Sequence, residues 1–182
     1  MADKLIERLI EMVKEKALLR GKFILASGRE SDFYLDLRRL TLDSMAAALI
    51  GEILFEKLEN IKYDAIGGPA IGAVPIVGAV LNYAGIKGID LKGFFVRKEA
   101  KDHGTGKMIE GPIKEGDRVI IVEDTTTTGG ALIKACDAAR DIGLIIVKVI
   151  VIVDRLEGAS ENMKVAGYVY EPLITTKDLG IK

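Results

Sequence analysis

The sequence predicts an α/β domain built on a mainly parallel sheet with helices on both faces. Three observations carry this. From residue 61 onward, apolar segments of strand length alternate with helical segments across glycine-rich turns. The two clearest strand segments, residues 119–122 and 145–153, are apolar at nearly every position, as strands covered on both sides are. The chain is 182 residues long, which suits one domain with a core of its own.

Each element follows from its pattern. Leu5, Ile6, Leu9, Ile10, Val13 and Ala17 recur at helical spacing and predict an amphipathic helix that Gly21 ends. Residues 22–39 read as two short strands around a turn at Ser27-Gly28-Arg29. Residues 42–58 return to helix, with Asp43 or Ser44 as cap. Residues 64–66 form a short strand, residues 67–72 a glycine-rich turn, and a helix follows to about Tyr83. Residues 93–96 are the next strand. Residues 98–111 hold Gly104, Gly106 and Gly111 among charges and read as a long loop. After the strand at 119–122, residues 125–130 are its turn, and a helix runs to about Ile142. The strand at 145–153 is followed by an edge strand at 168–170 and a last helical turn at 177–180.

Composition excludes several classes. Lys+Arg total 26 and Asp+Glu 27, a net charge of −1, so there is no broad basic face for wrapping nucleic acid. A single cysteine, Cys136, and a single histidine, His103, exclude an internal disulfide and Cys/His zinc patterns. Cys136 falls inside a helical segment and is expected to be buried. The first 17 residues alternate charged with apolar positions, unlike a signal peptide. The most apolar run, 142–153, carries Lys148 and is shorter than the ~20 residues that span a bilayer. A soluble cytoplasmic protein is the expectation.

The strongest chemical signal is Val119-Ile120-Ile121-Val122-Glu123-Asp124-Thr125-Thr126-Thr127-Thr128-Gly129-Gly130. Two carboxylates end a buried strand, then four hydroxyls and two glycines open a helix. Ligands of open α/β sheets sit beyond the carboxyl ends of the strands. A helix N-terminus offers free amides and positive dipole to an anion, and glycine lets that backbone come close. A phosphate monoester fits there, with Glu123 and Asp124 one step back for sugar hydroxyls or a bound Mg²⁺. Neither the P-loop pattern nor the dinucleotide fingerprint occurs. A second signal is the basic run from Arg97 to Lys107, where Arg97, Lys98, Lys101 and Lys107 outnumber Glu99 and Asp102. A glycine-hinged cationic loop can close on a departing anion and exclude water.

The segment at 119–130 resembles the phosphoribosyl pyrophosphate (PRPP) motif of type I phosphoribosyltransferases. Arg97-Lys98-Glu99-Ala100-Lys101-Asp102-His103-Gly104-Thr105-Gly106-Lys107 resembles the mobile catalytic loop of the orotate phosphoribosyltransferases among them. Ser27-Gly28-Arg29-Glu30-Ser31-Asp32-Phe33-Tyr34 resembles their N-terminal orotate-side segment, and Asp154-Arg155 stands where they carry an orotate-contacting arginine. These matches run from about residue 20 to 155 in the family's order.

The resemblance implies the type I phosphoribosyltransferase fold over residues 1–182, with residues about 1–40 plus the C-terminal segment forming a small hood. It implies transfer of the 5-phosphoribosyl group from PRPP to orotate, giving orotidine 5'-monophosphate and pyrophosphate. Thr125, Thr126, Thr127, Thr128, Gly129, Gly130 and Ala131 would hold the 5-phosphate, and Glu123 and Asp124 the ribose hydroxyls. Gly68, Ile71 and Gly72 would lie under the pyrophosphate. Arg97, Lys98, Lys101 and His103 would reach it, with Lys101, Asp102 and His103 as catalytic residues. Ser27, Phe33, Tyr34, Thr127 and Arg155 would hold orotate. Mg²⁺ would be held mainly by substrate and water, with no dedicated protein ligand. A homodimer sharing the basic loop across subunits is implied, with no nucleic-acid or membrane partner.

Two departures from the family stand out. Gly72 and Ala26 occupy places where many bacterial members carry lysine, and Thr125 and Thr126 stand where apolar residues are commoner. The alternatives are a purine phosphoribosyltransferase, a non-catalytic regulator on the same fold, and a nucleotide-binding interaction module.

Overall fold

The computed structural model describes residues 2–24, 30–99 and 108–181. Helix α1 (Ala2–Met12) buries Leu9 on its apolar stripe, and one wide π-turn, Val13–Ala17, extends it. The chain then becomes strand at β1 (Leu18–Ile24), so Gly21 lies inside a strand instead of ending the helix. Pairing explains the early switch. β1 runs antiparallel to β2 (Glu30–Leu35), Leu18 stands opposite Leu35, and both side chains are buried. These two strands form a small sheet of their own.

A short helix α2 (Arg38–Thr41), absent from the sequence reading, leads to α3 (Ser44–Lys57). Asp43 caps α3, its carboxylate accepting the amides of Met45 and Ala46. Strand β3 (Ala65–Pro69) and helix α4 (Ala73–Ile86) follow, then β4 (Lys92–Val96) and β5 (Ile109–Glu110). The long segment predicted as loop thus ends in two strand residues, paired antiparallel with β4. Strand β6 (Arg118–Thr126), helix α5 (Gly130–Asp141), strand β7 (Ile145–Asp154), helix α6 (Ala159–Val165) and strand β8 (Tyr170–Thr175) complete the chain.

The main sheet has the order β5-β4-β3-β6-β7-β8, parallel except at β5. Alternation along the strands divides the core. Ile66, Ile120, Val122, Ile150 and Ile152 face α1, α3 and α4, whereas Ala65, Val119, Ile121 and Val149 face α5. Cys136 is buried on that second face, and burial pushes its thiol up to about 12.

Three predicted boundaries move for physical reasons. Gly67 and Gly68 are strand residues, not turn, because their missing side chains make room for the Phe94 ring and the Val122 carbonyl. β6 runs on to Thr126, held by the pairing of Thr125 with Val153 and Thr126 with Asp154. The edge strand begins at Tyr170, because Tyr168 is buried against α5 and donates its hydroxyl to Asp137 at 2.6 Å.

Candidate active site

The carboxyl ends of β3, β6 and β7 open on one side of the sheet, as expected for ligand sites of this topology. Glu123 and Asp124 lie within the last four residues of β6, with Glu123 buried. Their side chains converge over Gly72, the residue that precedes α4. A Cβ built on Gly72 would fall on Glu123 Oε1 and stand 2.9 Å from Asp124 Oδ1. The glycine therefore leaves space that the two carboxylates fill, and the same space explains why no side chain stands at 72.

Burial pushes the Glu123 carboxyl up to about 8, and the charge of Asp124 adds to it; nearby Lys98 pulls the other way. Burial also raises Asp124, against the amide of Thr125, which donates to its Oδ1 at 2.6 Å, and the charge of Arg38. Two adjacent acids that are costly to ionise fit a site completed by hydroxyl donors or a cation.

The turn after them is Thr127–Gly129. Gly129 has φ 81°, a left-handed conformation that favours glycine. Thr126 sets this turn: its buried hydroxyl accepts the Gly129 amide at 3.1 Å. Thr127, Thr128, Gly130 and Ala131 are exposed at the mouth of the turn. The bond from Ile133 N–H to the Gly129 carbonyl opens α5, so the first-turn amides of Gly130, Ala131 and Leu132 are those a helix end leaves for an anion. Helix α6 braces the turn from outside. Asn162 Nδ2 donates to the Thr128 carbonyl at 2.8 Å, and Gly129 backs onto Ala159 and Met163.

Across β3, the loop at Gly68, Ile71 and Gly72 carries a cis peptide between Ala70 and Ile71, and the Ile71 side chain is exposed. Arg97 follows β4. Its guanidinium lies over the Phe95 ring, and Nε is 3.4 Å from Glu110 Oε1. Lys98 is exposed beside it. Lys101, Asp102, His103 and Ser27 lie outside the described residues.

At the end of β7 the Arg155 guanidinium lies 5.6 Å from the Phe33 ring centre, and its Nε is 3.0 Å from Glu157 Oε1, an ion pair without hydrogen-bond alignment. The Arg155 amide donates to the Thr126 carbonyl at 3.0 Å, which ties this residue to the turn after β6. Phe33 and Tyr34 do not share a surface. Alternation on β2 sends Phe33 to Arg155 and the core, and Tyr34 to Phe23 at a ring separation of 5.7 Å.

Sequence reasoning missed four contributors. Arg38 is clamped by Asp36, which accepts its Nε at 2.8 Å, and its charge reaches Asp124. Asp154, Glu157 and Asn162 lie against the turns that follow β6 and β7. The Asp36-Leu37-Arg38 and Gly158–Asn162 stretches carry no periodic pattern, so only the packing reveals them.

The phosphoribosyl transferase domain family matches residues 41–172. The orotate phosphoribosyltransferase of Streptomyces avermitilis is 44% identical over 174 residues, covering 95% of this chain and 96% of that protein. Among solved structures, Mycobacterium tuberculosis orotate phosphoribosyltransferase in complex with Fe(III) dicitrate superposes with a TM-score of 0.86 at 38% identity, covering 97% of this chain and 99% of that one. The same enzyme in complex with PRPP gives 0.82 at 35% identity, over 97% and 99% of the two chains. With this sheet order, this acidic pair and this likeness along its whole length, the chain belongs to the orotate phosphoribosyltransferases of the phosphoribosyl transferase family.

Proposed function

We propose that this chain transfers the 5-phosphoribosyl group from PRPP to orotate through the groups gathered at the carboxyl ends of β3, β6 and β7. The observation that carries the assignment is the convergence of Glu123 and Asp124 over Gly72, one turn ahead of the α5 N-terminus. That spacing suits one ligand with a phosphate at the helix end and hydroxyls one step back. The amides of Gly130 and Ala131 and the hydroxyls of Thr127 and Thr128 hold the 5-phosphate, on a turn that Thr126 shapes and Thr125 precedes. Glu123 and Asp124 accept the ribose hydroxyls. The loop at Gly68, Ile71 and Gly72 lies under the pyrophosphate. Phe33 and Arg155, in contact with each other, take orotate together: the ring offers an apolar face, and the planar cation matches a carboxylate or paired carbonyls. Ser27 and Thr127 complete that pocket.

The group expected with this chemistry is Mg²⁺, which would be held mainly by substrate and water. The residues present fit it. Two hard oxygen donors converge at one point, and both are raised by burial, a cost that a cation offsets. When bound, it would supply positive charge against the leaving pyrophosphate. The chain's own residues position the substrates and stabilise developing charge. A bond forms from an orotate ring nitrogen to the anomeric carbon as that nitrogen gives up its proton to solvent, and the bond to pyrophosphate breaks with its electron pair leaving on oxygen. Arg97, Lys98, Lys101 and His103 receive that negative charge, with Asp102 beside them. The product, orotidine 5'-monophosphate, belongs to pyrimidine synthesis. The working form we propose is a cytoplasmic homodimer.

Loss of orotate absorbance on mixing the protein with Mg²⁺, orotate and PRPP tests the reading. Consumption of a purine base and not orotate would overturn it, and binding of PRPP without turnover would favour a regulator.

A further inference from the structure

Asp154 ends β7 and is 1% exposed. Its carboxylate accepts two hydrogen bonds, from the Leu156 amide at 2.7 Å and from the Tyr170 hydroxyl of β8 at 2.8 Å. Leu156 has φ 59°, a left-handed conformation that a branched residue adopts only at a cost. A buried carboxylate is costly as well unless donors satisfy it. These two costs flank a single residue, Arg155. The backbone of Arg155 is pinned on both sides, its amide to the Thr126 carbonyl and its carbonyl to the Thr176 hydroxyl at 3.2 Å. With the main chain fixed this way, its side chain is delivered over Phe33 and beside Glu157.

We infer that Asp154, held by Tyr170, is a positioning residue for orotate: it folds residues 154–156 into the turn that carries the Arg155 guanidinium over Phe33. The inference rests on the orotate role proposed above for Arg155. Asp154 and Tyr170 act only through Arg155. Burial first, and then the bond to Asp154, raises the Tyr170 hydroxyl, so it stays a donor across the working pH range. A plain turn cap at this place would change stability alone. A positioning residue changes recognition of one substrate and spares the other.

Steady-state kinetics of the full chain, with orotate and PRPP varied separately, distinguish the two, and thermal unfolding is followed in parallel. Tyr170→Phe removes one hydroxyl and keeps the ring. It is expected to raise KM for orotate roughly three- to ten-fold, the scale of one ordinary hydrogen bond acting indirectly, with KM for PRPP unchanged. On an Arg155→Ala background it is expected to add nothing to orotate KM. Asp154→Asn is expected to show the same split, and Tyr170→Phe decides if that variant does not fold. A lowered melting point with an unchanged orotate KM in Tyr170→Phe overturns the inference and leaves the Arg155 assignment standing. Equal rises of both KM values overturn it too. An unchanged orotate KM in Arg155→Ala itself defeats the Arg155 assignment and this inference together.

Discussion

The Glu123 carboxylate occupies the space that a side chain at Gly72 would need, with Asp124 Oδ1 2.9 Å from the same point. At Gly68 the corresponding space belongs to backbone, the Val122 carbonyl, with Ala73 Cβ at 2.7 Å. The ends of two acidic side chains can swing aside, whereas a strand carbonyl inside the sheet cannot. Gly72→Ala is therefore expected to displace the carboxylates and raise KM for PRPP by about ten-fold, the scale of a lost charged hydrogen bond. Its unfolding midpoint should stay near that of the parent. Gly68→Ala is expected to destabilise the fold by about 1–3 kcal/mol or more through overpacking. Steady-state kinetics beside denaturant unfolding separate the two, and the reverse pattern would place the acidic pair elsewhere.

The buried acids also set a pH dependence. The folded Glu123 carboxyl is pushed up to about 8, mainly by burial, whereas in the unfolded chain it titrates near ~4.3. Between those values the folded state binds the extra proton, so stability falls as pH rises through that window. Asp36, held low by the Arg38 hydrogen bond, and Asp43, held low by Lys16, act in the opposite sense. Their contribution is lost only on acidification below the usual carboxylate range. The substrate-free protein is therefore expected to melt at a higher temperature near pH 5.5 than near pH 8.5. Glu123→Gln should flatten that slope and raise the melting point on the alkaline side. A parent melting curve that rises steadily from pH 5.5 to 8.5 would contradict the buried acid.

The fold was legible where local pattern and burial agree. The apolar centres of the doubly covered strands β6 and β7 and the Asp43 cap were readable, because apolar runs and capping chemistry act locally. The switch from helix to strand at Leu18 was not, since its cause is pairing with Leu35, seventeen residues on. Helix α6 was invisible for a related reason. Only Ala159 and Met163 of its seven residues are buried, too few to make a periodic signal. At the site, Glu123, Asp124 and the turn after them stood out through composition. Phe33 and Tyr34 looked equivalent in sequence, but strand alternation gives only Phe33 to Arg155. Asp154 and Tyr170 meet across β7 and β8, sixteen residues apart, and the resemblance at Asp154-Arg155 pointed only to the arginine.

Lys101 and Asp124 test the shared-loop homodimer. If the basic loop stabilises departing pyrophosphate, Lys101→Ala is expected to lower kcat on the order of 10²-fold, the scale of one lost electrostatic contact in a transition state. KM should change far less. If Asp124 accepts a ribose hydroxyl as proposed, Asp124→Asn removes the accepting charge and is expected to raise KM for PRPP. Each variant is then damaged in a different part of one site. When the two are unfolded and refolded together, mixed dimers acquire one site with an intact loop from one subunit and intact carboxylates from the other. Activity in the mixture well above the sum of the separate variants is the expected result, with a sedimentation coefficient matching two chains. Activity equal to that sum would mean that each loop serves its own subunit, and a single-chain sedimentation coefficient would rule out the dimer altogether.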